Sequence, residues 1–154
     1  MDSRRWAFSV LPVGAAAGLG GWGARDAKHT YARLTKPTWA PPAGAFGPVW
    51  SVLYLMTGVA GWRLYRSGSG STRFLHLAQL TLNAAWPALF FGVRDKRASL
   101  MVIALLDAAL AAEILSLRDD DPAAAALLLP YLGWCGFATI LNASVGDPGK
   151  GRRR

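Results

Sequence analysis

The sequence predicts an all-α integral membrane protein, a single bundle of five transmembrane helices formed by residues 1–154. Hydrophobic residues make up 53% of the 154 residues and charged residues only 17%, which is unusual for a water-soluble chain of this size. The apolar residues fall into five runs, each close to the ~20 residues that a helix needs to cross a bilayer. A segment in lipid must pair its own backbone amides, which favours helices.

The five runs are taken in chain order as spans at residues 6–22, 46–65, 74–91, 98–117 and 123–145. Charged residues interrupt them only at Arg63, Asp107 and Glu113. The one long connection, residues 23–45, carries several charges and prolines and is too polar to cross the bilayer. Functional residues are concentrated on such loops, so this segment is the first candidate for function.

Basic residues are divided unevenly between the two ends of the predicted bundle. The side that carries the loop at 23–45, the turn at 94–97 and the basic tail at 146–154 holds 11 of the 17 Lys and Arg residues. The positive-inside rule therefore places the carboxyl end in the cytoplasm, although Arg4 and Arg5 argue the other way. The composition, rich in Ala, Gly and Arg, indicates a bacterial plasma membrane.

The first run has two interpretations. Arg4 and Arg5, followed by an apolar stretch with small residues, are similar to a secretory or twin-arginine signal, whose cleavage would leave four spans. If the run is retained, Gly14 and Gly18 form a small-xxx-small pair that lets two helices approach closely. A homodimer interface and packing within the same bundle explain that pair equally well.

Motifs for hydrolysis, phosphate binding and metal binding are absent from the sequence. The single cysteine, Cys135, excludes an intramolecular disulfide, and His29 and His76 are predicted to lie in or beside loops. We therefore expect no metal and no cofactor. The basic tail at 146–154 is explained by the cytoplasmic charge bias or by anionic lipid headgroups, and nucleic acid is not an expected partner.

Two acidic residues, Asp107 and Glu113, fall inside the fourth span. Ionisable groups at membrane depth are costly and are functional candidates by default. The two residues are six positions apart in sequence, which places their carboxyl groups roughly 120° apart around a helix. They therefore do not form a pair on one face. We expect Glu113 to snorkel from the end of its span and Asp107 to be protonated or bonded to a neighbouring helix; a proton relay is the alternative.

Aromatic and amide side chains recur at helical spacing on three of the runs. These stripes are Gln79, Asn83, Trp86 and Phe90 on the third run; Trp50, Tyr54, Thr57 and Gly61 on the second; and Tyr131, Trp134, Ala138 and Leu141 on the fifth. Large rings with an amide and hydroxyl groups suit a pocket for a flat, mostly apolar ligand. Core packing explains the same stripes equally well at this point.

Three motifs resemble the signatures of the translocator protein family, also called tryptophan-rich sensory proteins or TspO/MBR. They are KPTWAPP at 36–42 followed by FGPVWSVLY at 46–54, QLTLNAAWPALFFG at 79–92, and PYLGWCGFATILN at 130–142. Their order also resembles that of the family, and together they span most of residues 31–142. The fourth span departs from many relatives because it has no aromatic residue.

The resemblance implies a five-helix bundle, often a homodimer, whose first loop folds over a pocket for porphyrins, sterol-like lipids and synthetic ligands. Stripes and resemblance together predict ligand contacts at Tyr31, Trp39, Trp50, Tyr54, Asn83, Trp86, Phe90, Trp134, Ala138 and Leu141.

The leading functional hypothesis is a membrane receptor or scavenger for a tetrapyrrole such as protoporphyrin IX, bound as a ligand without metal. The macrocycle is expected to lie among Trp50, Trp86 and Trp134, where apolar burial favours a flat ring. Its carboxylates are expected to bind Arg33 and Lys36.

The loop prolines Pro37, Pro41 and Pro42 are expected to stiffen the lid and to lower the entropy lost on closure. One alternative function is light-dependent degradation of the porphyrin, with Trp50 or Trp134 photo-oxidised. Another is transport of porphyrin or lipid, although no inverted repeat or pair of broken helices is visible in the sequence.

Overall fold

The structure is a computed structural model that describes residues 3–146, so the predicted basic tail, apart from Gly146, lies outside the described residues. The described chain is helical, with no strand in residues 3–146. Its helices are α1 (Ser3–Gly23), α2 (Ala27–Arg33), α3 (Phe46–Ser67), α4 (Gly70–Pro87), α5 (Lys96–Leu117) and α6 (Pro122–Ser144). A 3-10 turn (Ala43–Ala45) precedes α3, and a π-helical segment (Ala88–Val93) extends α4. The all-α class is confirmed.

The five long helices form a closed ring. Helix α1 packs against α3 and α4, α3 packs against α6, and α5 closes the ring between α6 and α4. The centre is filled by fully buried leucines, among them Leu64, Leu110 and Leu128. Helix α2 contacts the 3-10 turn and the π-helical segment, so it lies across the end of the bundle where α1 ends and α3 begins.

Three helices are individually long and apolar enough to cross a membrane: α3 with its preceding turn, α5 and α6. Helices α1 and α2 qualify together as one span bent by 52°. Helix α4 does not meet the same criterion, because its buried face carries His76, Gln79 and Asn83. Large apolar side chains such as Leu55, Phe74 and Leu115 point outward along the bundle, as expected for a surface in contact with lipid.

The observed elements differ from the predicted spans mainly at two places. Helix α4 begins at Gly70 rather than at residue 74, because Ser69 caps it and its hydroxyl accepts a hydrogen bond from the Thr72 N–H. The predicted loop at residues 23–45 contains α2, whose seven residues include no Gly or Pro. This segment, the lid segment, is therefore partly helical.

The connection between α5 and α6 is anchored by Asp121. Its carboxylate accepts hydrogen bonds from the Ala124 N–H at 3.0 Å, from Arg63 at 2.9 Å and from Ser67 at 3.2 Å. Desolvation raises the pKa of Asp121, but the Arg63 and Ala124 hydrogen bonds, the Arg63 charge and the Ser67 hydroxyl outweigh it, so the net pKa lies below 3.8. One side chain thus caps α6 and ties it to α3.

Replacing this anchor tests its contribution. Asp121→Ala removes the cap and the ion pair, and we expect a loss of about 1–2 kcal/mol of stability in detergent, measured by thermal unfolding. Asp119→Ala is the matched control, because Asp119 pairs with Arg118 at the exposed surface and such pairs contribute about 0–1 kcal/mol.

The same comparison predicts a pH dependence. Because the folded-state pKa of Asp121 is lowered, its stabilisation is complete above the ordinary value of 3.8 and is lost as the pH falls through the folded-state pKa. The difference between wild type and Asp121→Ala should therefore shrink below pH 4. A difference that is constant down to pH 2 would contradict the assignment.

The end of α1 packs directly against the main chain of the π-helical segment. A Cβ atom at Gly23 would lie 2.8 Å from the backbone nitrogen of Ala88. We expect Gly23→Ala to lower the thermal unfolding midpoint because the two backbones must separate. Gly136→Ala, in the middle of α6 with nothing within 4 Å of the added Cβ, should be neutral or stabilising by up to about 1 kcal/mol. Equal effects of the two changes would contradict this packing.

Candidate functional site

A cavity of about 530 Å³ lies between α1, α3 and α4 beneath the lid segment. Its volume falls within the roughly 300–1,000 Å³ typical of small-molecule pockets. The lining residues are Ala17, Gly20, Gly21, Ala24, Arg25, Ala27, Lys28, Tyr31, Ala43, Gly44, Phe46, Gly47, Trp50, Tyr54, Asn83, Trp86, Pro87 and Phe91. Most of these side chains are aromatic or small and apolar, so the cavity suits a flat apolar molecule.

The α1 wall is built from small residues. Ala17, Gly20 and Gly21 lie at steps of three and one along the helix and therefore share one face, and Ala24 follows directly after the helix ends. A Cβ atom at Gly20 would already lie 3.5 Å from the Tyr54 hydroxyl. The space for a ligand thus comes from the missing side chains of α1. The sequence predicts no ligand contact on this helix, although its small residues recur at helical spacing.

The α3 and α4 walls are aromatic and are held by two hydrogen bonds. The Tyr54 hydroxyl donates to Asn83 Oδ1 at 2.7 Å, and its ring lies 5.6 Å from the Trp50 ring. The Trp86 indole N–H donates to Asn142 Oδ1 at 3.2 Å. Because each bond joins two helices, the rings are fixed before any ligand arrives.

The lid segment is held together by Tyr31 and Lys36. The Tyr31 hydroxyl donates to the Pro41 carbonyl at 2.8 Å, which joins α2 to the proline-rich stretch. The Lys36 ammonium donates to the Tyr31 carbonyl at 2.6 Å and lies 4.7 Å from the centre of the Tyr31 ring. Lys36 is therefore engaged in the lid itself.

Two other cations, Arg25 and Lys28, line the cavity at its exposed rim. The Arg25 guanidinium carbon lies 4.4 Å from the centre of the Trp22 ring. Neither Arg33 nor Lys36, the cations chosen from the sequence, is among the lining residues. Lys28 lies three residues and Arg25 six residues before the buried Tyr31, and nothing in the local sequence separates them from the other basic residues of the loop.

Five residues chosen from the sequence line the cavity together: Tyr31, Trp50, Tyr54, Asn83 and Trp86. The structure places the others elsewhere. Within residues 3–146, α5 and α6 contribute no lining residue, so the α6 stripe lies one layer behind the wall.

The predicted residues behind the wall support it in different ways. Phe90 stacks on Trp86 with ring centres 5.4 Å apart, and Leu141 is buried in the same cluster. Trp134 lies edge-on to Phe46 at 5.9 Å, and Ala138 is buried in the central core. These contacts hold the lining rings Trp86 and Phe46 in position.

Trp39 and the lid prolines lie away from the cavity wall. Trp39 is 48% exposed, and its ring lies 5.8 Å from that of Phe137. Pro37, Pro41 and Pro42 are not lining residues, but Pro41 is the acceptor for the Tyr31 hydroxyl.

The two acidic residues of α5 have separate partners. Asp107 accepts a hydrogen bond from the Thr139 hydroxyl of α6 at 2.7 Å, so the expected bond to a neighbouring helix is present. Glu113 lies 2.7 Å from His76 Nδ1, and both side chains are fully buried. The predictions that Glu113 snorkels and that His76 lies in or beside a loop are therefore wrong. Each residue is buried because the other supplies its polar partner, 37 positions away in sequence.

The chain resembles characterised proteins along most of its length. The profile of the TspO/MBR family matches residues 8–146. The translocator protein of Sus scrofa is 37% identical over 131 residues, covering 81% of this chain and 78% of that protein. The translocator protein of Homo sapiens is 40% identical over 121 residues, with 75% and 72% covered. The tryptophan-rich protein TspO of Archaeoglobus fulgidus is 34% identical over 141 residues, covering 90% of both chains. With its apolar helices, this chain is a membrane protein that belongs to the TspO/MBR family.

Proposed function

We propose that this protein is a membrane receptor or scavenger for a tetrapyrrole such as protoporphyrin IX. The observation that carries the proposal is the cavity of about 530 Å³ bounded by Phe46, Trp50, Trp86 and Phe91. A flat macrocycle gains both apolar burial and ring contacts in such a site. The family membership supports the same ligand class, because the family resemblance implies porphyrin binding.

The polar groups around the cavity match the chemistry of such a ligand. Arg25 and Lys28 lie at the exposed rim, where they can offer charge-assisted hydrogen bonds to propionate carboxylates. The interior offers one fixed amide, Asn83, already bonded to Tyr54. In the described part of the chain the lining includes no His, Cys or Met, side chains that commonly ligate haem iron. Tyr also ligates haem iron, but the two lining tyrosines, Tyr31 and Tyr54, already donate their hydroxyls to Pro41 and Asn83. A metal-free tetrapyrrole is therefore the preferred ligand.

The lid segment favours retention of a bound ligand. Its proline-rich stretch is tied to α2 through Tyr31 and Pro41. A segment that is stiff before binding loses less conformational entropy on closure. Release then requires the lid to move away from Phe46, whose ring lies 5.3 Å from that of Tyr31.

We further propose that all five long helices cross the bilayer, with the carboxyl end in the cytoplasm of a bacterial cell. Helix α4 then crosses with its polar face turned inward, shielded from lipid by its neighbours. Gly14 and Gly18 have nothing within 4 Å of an added Cβ, so this face of α1 is open to a second helix. A homodimer through these glycines is consistent with that open face.

The position of Trp86 on the wall and of Trp134 behind it predicts unequal effects on binding. Trp86→Leu should weaken protoporphyrin IX binding by about tenfold or more, because it removes a ring in direct contact with the ligand. Trp134→Leu should weaken it less. Both are measured by absorbance titration of the detergent-solubilised protein, with Trp39→Leu as a control. Unchanged affinity in Trp86→Leu would refute the proposed binding mode.

The rim cations predict a dependence on the ligand's carboxylates. Arg25→Ala and Lys28→Ala should each weaken binding of protoporphyrin IX several-fold, because each removes a charge-assisted contact. Neither change should affect binding of the dimethyl ester, which carries no carboxylate. Arg33→Ala is the matched control and should leave both affinities unaltered. If Arg33→Ala has the larger effect, the carboxylates bind at the other end of the lid.

A further inference from the structure

The buried face of α4 carries a line of polar side chains. Thr72, His76, Gln79 and Asn83 follow one another at steps of four, three and four, and each is at most 3% exposed. The line extends over 11 residues, or about 17 Å along the helix axis. A membrane bundle needs no such line for packing, and buried ionisable groups in membranes mark functional sites by default.

The His76–Glu113 pair occupies the middle of this line. His76 Nδ1 lies 2.7 Å from Glu113 Oε1, and both side chains have 0% exposure. Helix α1 contributes the Phe8 ring, stacked 5.6 Å from the imidazole, and α3 contributes Gly61, where a Cβ atom would lie 2.8 Å from His76 Nε2. The pair is therefore enclosed on every side by the bundle.

The outer atoms of the pair lack hydrogen-bond partners. Among the described residues, none pairs with His76 Nε2, with Glu113 Oε2 or with either polar atom of the Gln79 amide. Buried polar atoms of this kind bind internal water. A pair with its inner atoms bonded to each other and both outer atoms without a partner has the connectivity of a proton relay, because one outer atom can take up a proton and the other can release one.

The line of polar groups has an outlet at each end. At one end Asn83 lines the cavity. At the other, the Thr72 hydroxyl oxygen lies 2.9 Å from that of Ser69, which lies 2.7 Å from that of the exposed Ser71. The hydroxyl chain therefore reaches the surface at the start of α4.

We propose that the polar line of α4 transfers protons between the cavity and the membrane surface at the start of α4, with His76 and Glu113 as the relay. A proton binds His76 Nε2 while the Nδ1 proton moves to Glu113 Oε1. The Glu113 carboxylic acid then releases its proton to water, and the starting tautomer is restored when Nε2 loses its proton to water while Nδ1 gains one from water. One proton enters and one leaves, and no electron is exchanged. The proposal holds for any ligand of the cavity.

The test measures proton flux in liposomes that contain the purified full chain, an enclosed pH-sensitive dye and a potassium diffusion potential. Wild type should conduct protons well above protein-free liposomes. Glu113→Gln, which keeps the size and polarity of the side chain but cannot exchange a proton, should lower the flux at least tenfold. Asp107→Asn is the matched control, since it changes the other carboxylate of α5, and should stay within twofold of wild type.

Gln79→Leu provides a second variant that leaves the ionisable pair intact. It removes the amide between the pair and the cavity and should lower the flux at least fivefold. Gel filtration and circular dichroism check that each variant is folded, and if Glu113→Gln is not, the Gln79→Leu result decides. A wild-type flux equal to that of protein-free liposomes would overturn the proposal. So would a wild-type flux in folded Glu113→Gln or in Gln79→Leu, or an equal loss in Asp107→Asn.

Discussion

The helices of this bundle are held together by hydrogen bonds between buried polar side chains, because a polar group buried in a lipid-embedded protein is costly unless it is hydrogen-bonded. These interhelical bonds are Tyr54–Asn83, Trp86–Asn142, His76–Glu113 and Asp107–Thr139. Helix α4 contributes to three of them and is thereby joined to α3, α5 and α6. Helix α4 is also the least apolar of the long helices. Its polar residues need hydrogen-bond partners on the neighbouring helices, and these bonds fix where those helices pack.

The same bonds prepare the cavity. Tyr54 and Trp86 are fixed by amide partners, while α1 presents Gly20 and Gly21 instead of side chains. A closed ring of five helices would otherwise fill its interior completely. Space therefore remains only where small residues face rigid rings, at the end covered by the lid segment. Aromatic walls inside and cations at the rim follow from that position, and they match the proposed ligand, which has an apolar ring and charged carboxylates.

Much of this arrangement could be predicted from the sequence. Apolar runs of span length identify the long helices, and helical spacing selects Trp50, Tyr54, Asn83 and Trp86, which the structure brings to one cavity. Helical periodicity assigns a residue to a face of its helix but does not give its distance from the cavity. Trp134 lies on an equally regular stripe, yet the structure places it behind the cavity wall. Prediction is also limited for residues that are far apart in sequence.

Sequence separation explains why the buried His76–Glu113 pair could not be predicted. His76 and Glu113 stand alone in their own segments, and only the packing of α4 on α5 brings them within 2.7 Å. Each residue considered separately belongs at the membrane surface, because a single ionisable group in lipid is costly. Arg25 and Lys28 likewise differ from Arg33 only in their place in the folded chain, where the first two line the cavity and Arg33 does not.

An experimental structure of this protein with protoporphyrin IX bound would show directly whether the cavity is the binding site. The macrocycle should lie between α1, α3 and α4 in contact with Trp50 and Trp86, with its propionates toward Arg25 and Lys28. A macrocycle bound on the lipid-facing surface, or between α5 and α6, would contradict the proposed binding site.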